Sequence, residues 1–145
     1  MAEVLNRFEP VTSGQDNPLI LEGTVKTGAG QNLKKVYLSV DMTDVSAAGT
    51  VYLPSPVAGV ISKVYVIIAN AITGADSVIT TKIGSTAVTG GAVTLTQSGS
   101  ASGSVFSATP TANNAVVAGD NINFTSDGAS STTSRGTILV EITQS

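Results

Sequence analysis

Two carboxylates stand three positions apart in Asp41-Met42-Thr43-Asp44, the closest acidic pair in the chain. Such a pair can share acid and base work across a cleft about 5 to 9.5 Å wide, or hold calcium if further oxygen ligands follow. Val45, Ser46, Ala47 and Ala48 come next and offer few oxygens, so a solvated turn closing the preceding strand is the plainer reading. Asp76, Asp120 and Asp127 also sit in turn sequences, each close to a glycine, where Asp bonds its own backbone. Ser62-Lys63 pairs a hydroxyl with an amine, but adjacent strand residues point to opposite faces, which keeps Lys63 from activating Ser62. The glycine-rich runs at 28–30 and 99–103 lack the Lys-Ser/Thr ending of a phosphate loop and read as flexible connections.

The chain contains neither histidine nor cysteine. That removes the commonest general base, the thiolate nucleophile, the usual zinc ligands, iron-sulfur ligation and disulfides together. The expectation is a protein that is not an enzyme, with no catalytic residues, no cofactor and no metal site.

Charge narrows the partners. Only 12% of the 145 residues are charged, about half the share in an average soluble protein, so Thr, Ser, Asn, Gly and Ala must build the surface. The net charge is −3 and the seven basic residues are scattered, only Lys34 and Lys35 being adjacent. Phosphate neutralisation needs clustered Lys and Arg, so no nucleic-acid partner is expected. Nor is a membrane: the most apolar run, 64–68, is far shorter than the about 20 residues of a bilayer-spanning helix. Residues 1–16 carry Glu3, Arg7 and Glu9 without a long apolar core, unlike a secretory signal. A soluble protein is expected.

Composition divides the chain into residues 1–33, an extended or partly disordered arm, and residues 34–145, a Thr/Ser/Gly/Ala-rich body with strand-like periodicity. The arm holds Pro10, Pro18, a flexible stretch at 27–31 and the apolar patch Leu19-Ile20-Leu21. Such short runs cannot build a core of their own. They can anchor an arm that orders on a neighbouring subunit, so Leu19, Ile20 and Leu21 are the candidate partner-binding residues.

In the body, period-two alternation recurs between turn signals at 36–41, 51–53, 59–69, 77–83, 92–96, 104–108, 121–125 and 137–142. The 59–69 run carries Val60, Val64, Val66 and Ile68 on one face and Ile61, Tyr65 and Ile67 on the other, which predicts a central strand buried on both sides. Thr89-Gly90-Gly91-Ala92 reads as a tight hairpin turn. No window gathers helix formers at 3.6 spacing. About eight short strands with frequent turns give an all-β fold, a β-sandwich of jelly-roll type. The second half of the chain has little Lys or Pro to blunt edge strands, so a partner is expected to cover the edges.

The run Val51-Tyr52-Leu53-Pro54-Ser55-Pro56 and its continuation to Tyr65 resemble small proteins of tailed bacteriophages that decorate or cement the outside of the capsid. The resemblance continues through 80–84, 87–91, 107–113 and 117–122, covers most of 48–142, and excludes the stretch before Leu33. It implies a compact β-sandwich, often a homotrimer, seated where hexamers and pentamers of the major capsid protein meet. The implied location is the outer capsid surface of the virion, after synthesis in the host cytoplasm. A second reading from a different class is a receptor- or glycan-binding domain of a phage fibre or surface appendage. Sugar faces prefer aromatic platforms, and the absence of Trp leaves only three Tyr and three Phe for that work.

Overall fold

A computed structural model describes residues 34–145, which form ten strands and, among the described residues, no helix. They are β1 (Lys35–Met42), β2 (Gly49–Pro54), β3 (Gly59–Ile68), β4 (Ser77–Ile83), β5 (Thr86–Ala87), β6 (Val93–Leu95), β7 (Val105–Ala108), β8 (Ala115–Val116), β9 (Asn121–Ser126) and β10 (Gly136–Gln144). All pairings are antiparallel. One sheet runs β1-β10-β3-β7, with β8 also on β3; the other runs β2-β9-β4-β5, with β6 also on β4. The fold is an all-β sandwich of two five-stranded sheets. The eight periodic segments all become strands, and the two additions, β5 and β8, are dipeptides too short to show a period.

Alternation explains the core. In β1, Val36, Leu38, Val40 and Met42 point inward while Lys35, Tyr37, Ser39 and Asp41 point out. In β10, Ile138, Val140 and Ile142 are fully buried between half-buried neighbours. Facing them from the second sheet are Ile79, Leu95, Ile122 and Phe124, all without solvent exposure. Each such side chain contributes about 1.5–3 kcal/mol by leaving water. Two hydroxyls buried with them are paired: those of Ser77 and Ser126 both donate to the Val45 carbonyl, at 3.0 and 2.7 Å, tying the β1-β2 loop to the second sheet.

Two expectations need correction. β3 is central in its sheet but is buried on one side only, since Val60 and Ile67 are 39% and 40% exposed. Its two faces also change partners. Lys63 pairs with Glu141 while Ile61 pairs with Ile142, a bulge that leaves Ser62 over and turns Ile61 to the same side as Val64. Gly90-Gly91 does make a tight turn, with the Gly91 amide donating to the Val88 carbonyl at 3.0 Å, but not a hairpin. The strands flanking it, β5 and β6, each pair with β4. The two-residue hairpin lies instead at Gly84-Ser85, between β4 and β5, where Gly84 takes the positive φ of 59° that a first central residue requires. Among the described residues the edge strands of the second half are short, β5, β6 and β7 having two, three and four residues. Among the described residues the longest strand at a sheet edge is the eight-residue β1.

Candidate functional site

The carboxylates that sequence reasoning weighed for catalysis are held by separate partners. Asp41 lies in β1 rather than in the turn, on the outer face, accepting from the Thr137 hydroxyl at 2.7 Å with Arg135 at 4.0 Å. Asp44 is the turn residue: its Oδ1 accepts from the Ser46 hydroxyl and amide at 2.7 and 2.9 Å and from the Ser134 amide at 3.2 Å. The Ser46 hydroxyl is the main cause holding the Asp44 carboxyl below the usual range, with backbone amides adding to it against burial. Burial pushes the Asp127 carboxyl up, yet the Val78 and Ala129 amides and the Ser77 hydroxyl outweigh it and leave it lowered. Asp120 accepts from the Val117 amide at 2.9 Å within its own turn, whereas Asp76 accepts from the Gln97 amide at 2.8 Å, a contact to a distant segment rather than to its own turn. No three carboxylates converge among the described residues. Leu19, Ile20 and Leu21, with the rest of the expected arm, lie outside the described residues.

With both inner faces filling the core, the chemistry available to partners lies on the two outer faces, and strand register arranges each. On the first sheet three rows cross the strands: Tyr37-Glu141-Lys63, Ser39-Leu139-Tyr65-Ser107 and Asp41-Thr137-Ile67-Val105. Tyr37 and Val105 are more than half exposed, at 55% and 58%. Leu139 and Tyr65 sit at the centre of the middle row between Ser39 and Ser107, giving an apolar band bordered by two polar corners, Glu141 with Lys63 at one and Asp41 with Thr137 at the other.

Glu141 is the hub of the first corner. Its Oε1 accepts from the Ser62 hydroxyl at 2.7 Å and the Lys35 ammonium at 3.1 Å, and its Oε2 from the Tyr37 hydroxyl at 3.0 Å. The Ser62 hydroxyl, then Lys35 and Tyr37, hold its carboxyl below the ordinary glutamate range against burial. Ser62 is thus bonded to Glu141 and not to Lys63, whose ammonium sits 5.9 Å from the centre of the Tyr65 ring. A charged residue inside the apolar run of β10 was the sequence signal for this hub, and only the register could supply its partners.

The outer face of the second sheet is polar. Its rows are Thr50-Thr125-Thr80 and Tyr52-Asn123-Lys82, with Asn121 opposite Pro54. They floor a groove of about 480 Å³, closed at one end by Gly84 and Ser85 of the hairpin. Tyr52 is 61% exposed beside it. Asn123 is only 8% exposed and its amide nitrogen donates to the Gly84 carbonyl at 2.9 Å. Sequence reasoning missed this group. Its trace was Tyr52 turned outward between inward Val51 and Leu53, which says nothing of what lies across the sheet.

No protein-family model matches the chain, and no curated protein matches it. Among solved structures it is similar to a chain of the cyanophage Pam1 capsid asymmetric unit, at 22% identity and a TM-score of 0.46, over 94% of this chain and 99% of that one. It is also similar to CsCBM6-3 from Clostridium stercorarium, solved in complex with cellobiose, at 12% identity and a TM-score of 0.44, over 83% of this chain and 79% of that one. Overlaps of this size carry no functional argument by themselves.

Proposed function

We propose that this chain is a structural virion protein that binds the outer surface of a phage capsid as an oligomer, most simply a homotrimer, and stabilises contacts between capsomers of the major capsid protein. The observation that supports this best is the outer face of the first sheet. Leu139 beside Tyr65 and Ile67 beside Val105 form an apolar band across its middle, with Tyr37 exposed nearby, and such patches mark places where another protein packs. The bodies associate through this face, and the arm, with Leu19, Ile20 and Leu21 as anchors, reaches the capsid or the adjacent protomer. The resemblance of 51–65 and the later segments to capsid-decorating proteins points the same way. So does the order of the longer strands, which alternates between sheets as in a jelly roll.

The work is binding without turnover. A capsid repeats one shallow site many times, and an oligomer engaging several copies at once converts weak contacts into retention through effective concentration. The test is cosedimentation of the full chain, and of a chain lacking residues 1–30, with capsids bearing no other accessory protein, alongside the solution mass. The full chain is expected to be oligomeric and to sediment with capsids, and the truncation to stay folded and lose retention. A monomeric full chain that stays in the supernatant overturns the reading; a truncation that still binds removes the arm from it.

A further inference from the structure

The polar groove on the second sheet is not used by that reading, and its chemistry is specific enough to name a ligand class. Carbohydrates offer an apolar ring face and a rim of hydroxyls, and they are held by an aromatic platform beside fixed hydrogen-bonding groups. The groove supplies both. Tyr52 presents a ring that is 61% exposed, the largest exposure among the outward apolar side chains. Asn123 is held rigid by its bond to the Gly84 carbonyl, and no described residue donates to its Oδ1, which is left to accept from a ligand hydroxyl. Thr50, Thr125 and Asn121 line the same groove with further donors and acceptors.

Charge then selects within the class. Lys82 lies in the same row as Tyr52 and Asn123, and no lining residue is acidic. No described carboxylate pairs with Lys82, so the groove is locally cationic in a chain of net charge −3. With strands about 4.8 Å apart, Tyr52 and Lys82 stand about 10 Å from each other across Asn123, a span that suits a short oligosaccharide rather than one sugar. We propose that this groove binds a saccharide chain bearing carboxylates, a sugar ring on Tyr52 and a sugar carboxylate at Lys82. The proposal stands on the groove alone and is independent of capsid attachment.

Affinity electrophoresis of the full chain in gels containing polygalacturonate, alginate or polysialic acid tests it, with neutral dextran as the control. At least one acidic polymer is expected to retard the protein, dextran is not, and added salt is expected to weaken the retardation because the Lys82 contact is screened. Y52A is expected to abolish the retardation and K82Q to reduce it several-fold; circular dichroism checks that both keep the fold, Tyr52 being exposed and Lys82 half-buried on the outer face. Three outcomes would each overturn the proposal: no retardation in any acidic gel, equal retardation by dextran, or retardation unchanged in folded Y52A and K82Q. None of them bears on capsid cosedimentation, so the two readings fail separately.

Discussion

The outer faces of the two sheets differ although the inner faces are alike. Inside, apolar side chains of both sheets meet, Ile138, Val140 and Ile142 of β10 against Ile79 of β4 and Ile122 and Phe124 of β9. Outside, the first sheet carries an apolar band, Leu139, Tyr65, Ile67 and Val105, between polar ends that include Glu141 and Asp41, whereas the second carries Thr50, Thr80, Thr125, Asn121 and Asn123 with Tyr52 and Lys82. Both meet solvent in the described fold, but the first exposes more of the large apolar side chains, Val105 and Ile67 among them. A sandwich needs only its inward residues to fold, so the outward ones are free to diverge, one face towards protein packing and the other towards a polar ligand.

The sharpest contrast should be between inward and outward positions. Phe124, fully buried, is expected to cost about 3–5 kcal/mol as Phe124→Ala, read from urea or thermal unfolding. Thr80→Ala on the same sheet's outer face is expected to stay within about 0.5 kcal/mol of the parent protein. A similar loss at both would mean that the outer face of the second sheet is covered in the folded protein.

Within the first sheet's outer face the Glu141 corner should matter more to stability than the apolar band. Glu141→Ala removes the shared acceptor of Ser62, Lys35 and Tyr37 and is expected to cost about 1 kcal/mol. Ile67→Lys combined with Val105→Asp is expected to leave the unfolding midpoint nearly unchanged and to lower the solution mass seen by light scattering. An unchanged mass would show that association does not use this face.

Acid gives the smallest effect and distinguishes loop from face. Asp44, Asp127 and Glu141 are all held below their ordinary values in the fold. Their stabilisation is complete above the usual carboxylate range of about 4 to 4.5 and is lost as pH falls through the lower folded values, because the unfolded chain then binds more protons. Tm is therefore expected to be flat from neutral pH to about 5 and to decline below that. Asp44→Asn should lower Tm at neutral pH and make the acid decline shallower, by freeing the Ser46 and Ser134 contacts of the β1-β2 loop.

How much of this was legible follows from what each signal measures. Alternation located β1, β2, β4 and β10 because a two-residue period is a property of the chain itself. It could not see that β3 has only one buried side, because outward Val60 and Ile67 are as apolar as inward Val64 and Val66, and only the neighbouring layer decides which are covered. The bulge at Ser62 reversed the parity of Ile61, which needs the partner strand to be known. Gly90-Gly91 looked like a hairpin by local chemistry, yet β4 competed for both flanking strands, and the less conspicuous Gly84-Ser85 made the hairpin.

The missing imidazole and thiol, the scarcity of charge and the β-branched alternation are written into the chain and require no partner to be read, because they are properties of residue type and of order along it. The Glu141 hub and the Tyr52-Asn123-Lys82 row exist only once β1, β3 and β10, or β2, β4 and β9, are side by side. Glu141 lies 79, 104 and 106 positions from Ser62, Tyr37 and Lys35, Tyr52, Lys82 and Asn123 come from three separate strands, and hydrogen bonding between strands is what brings each group together.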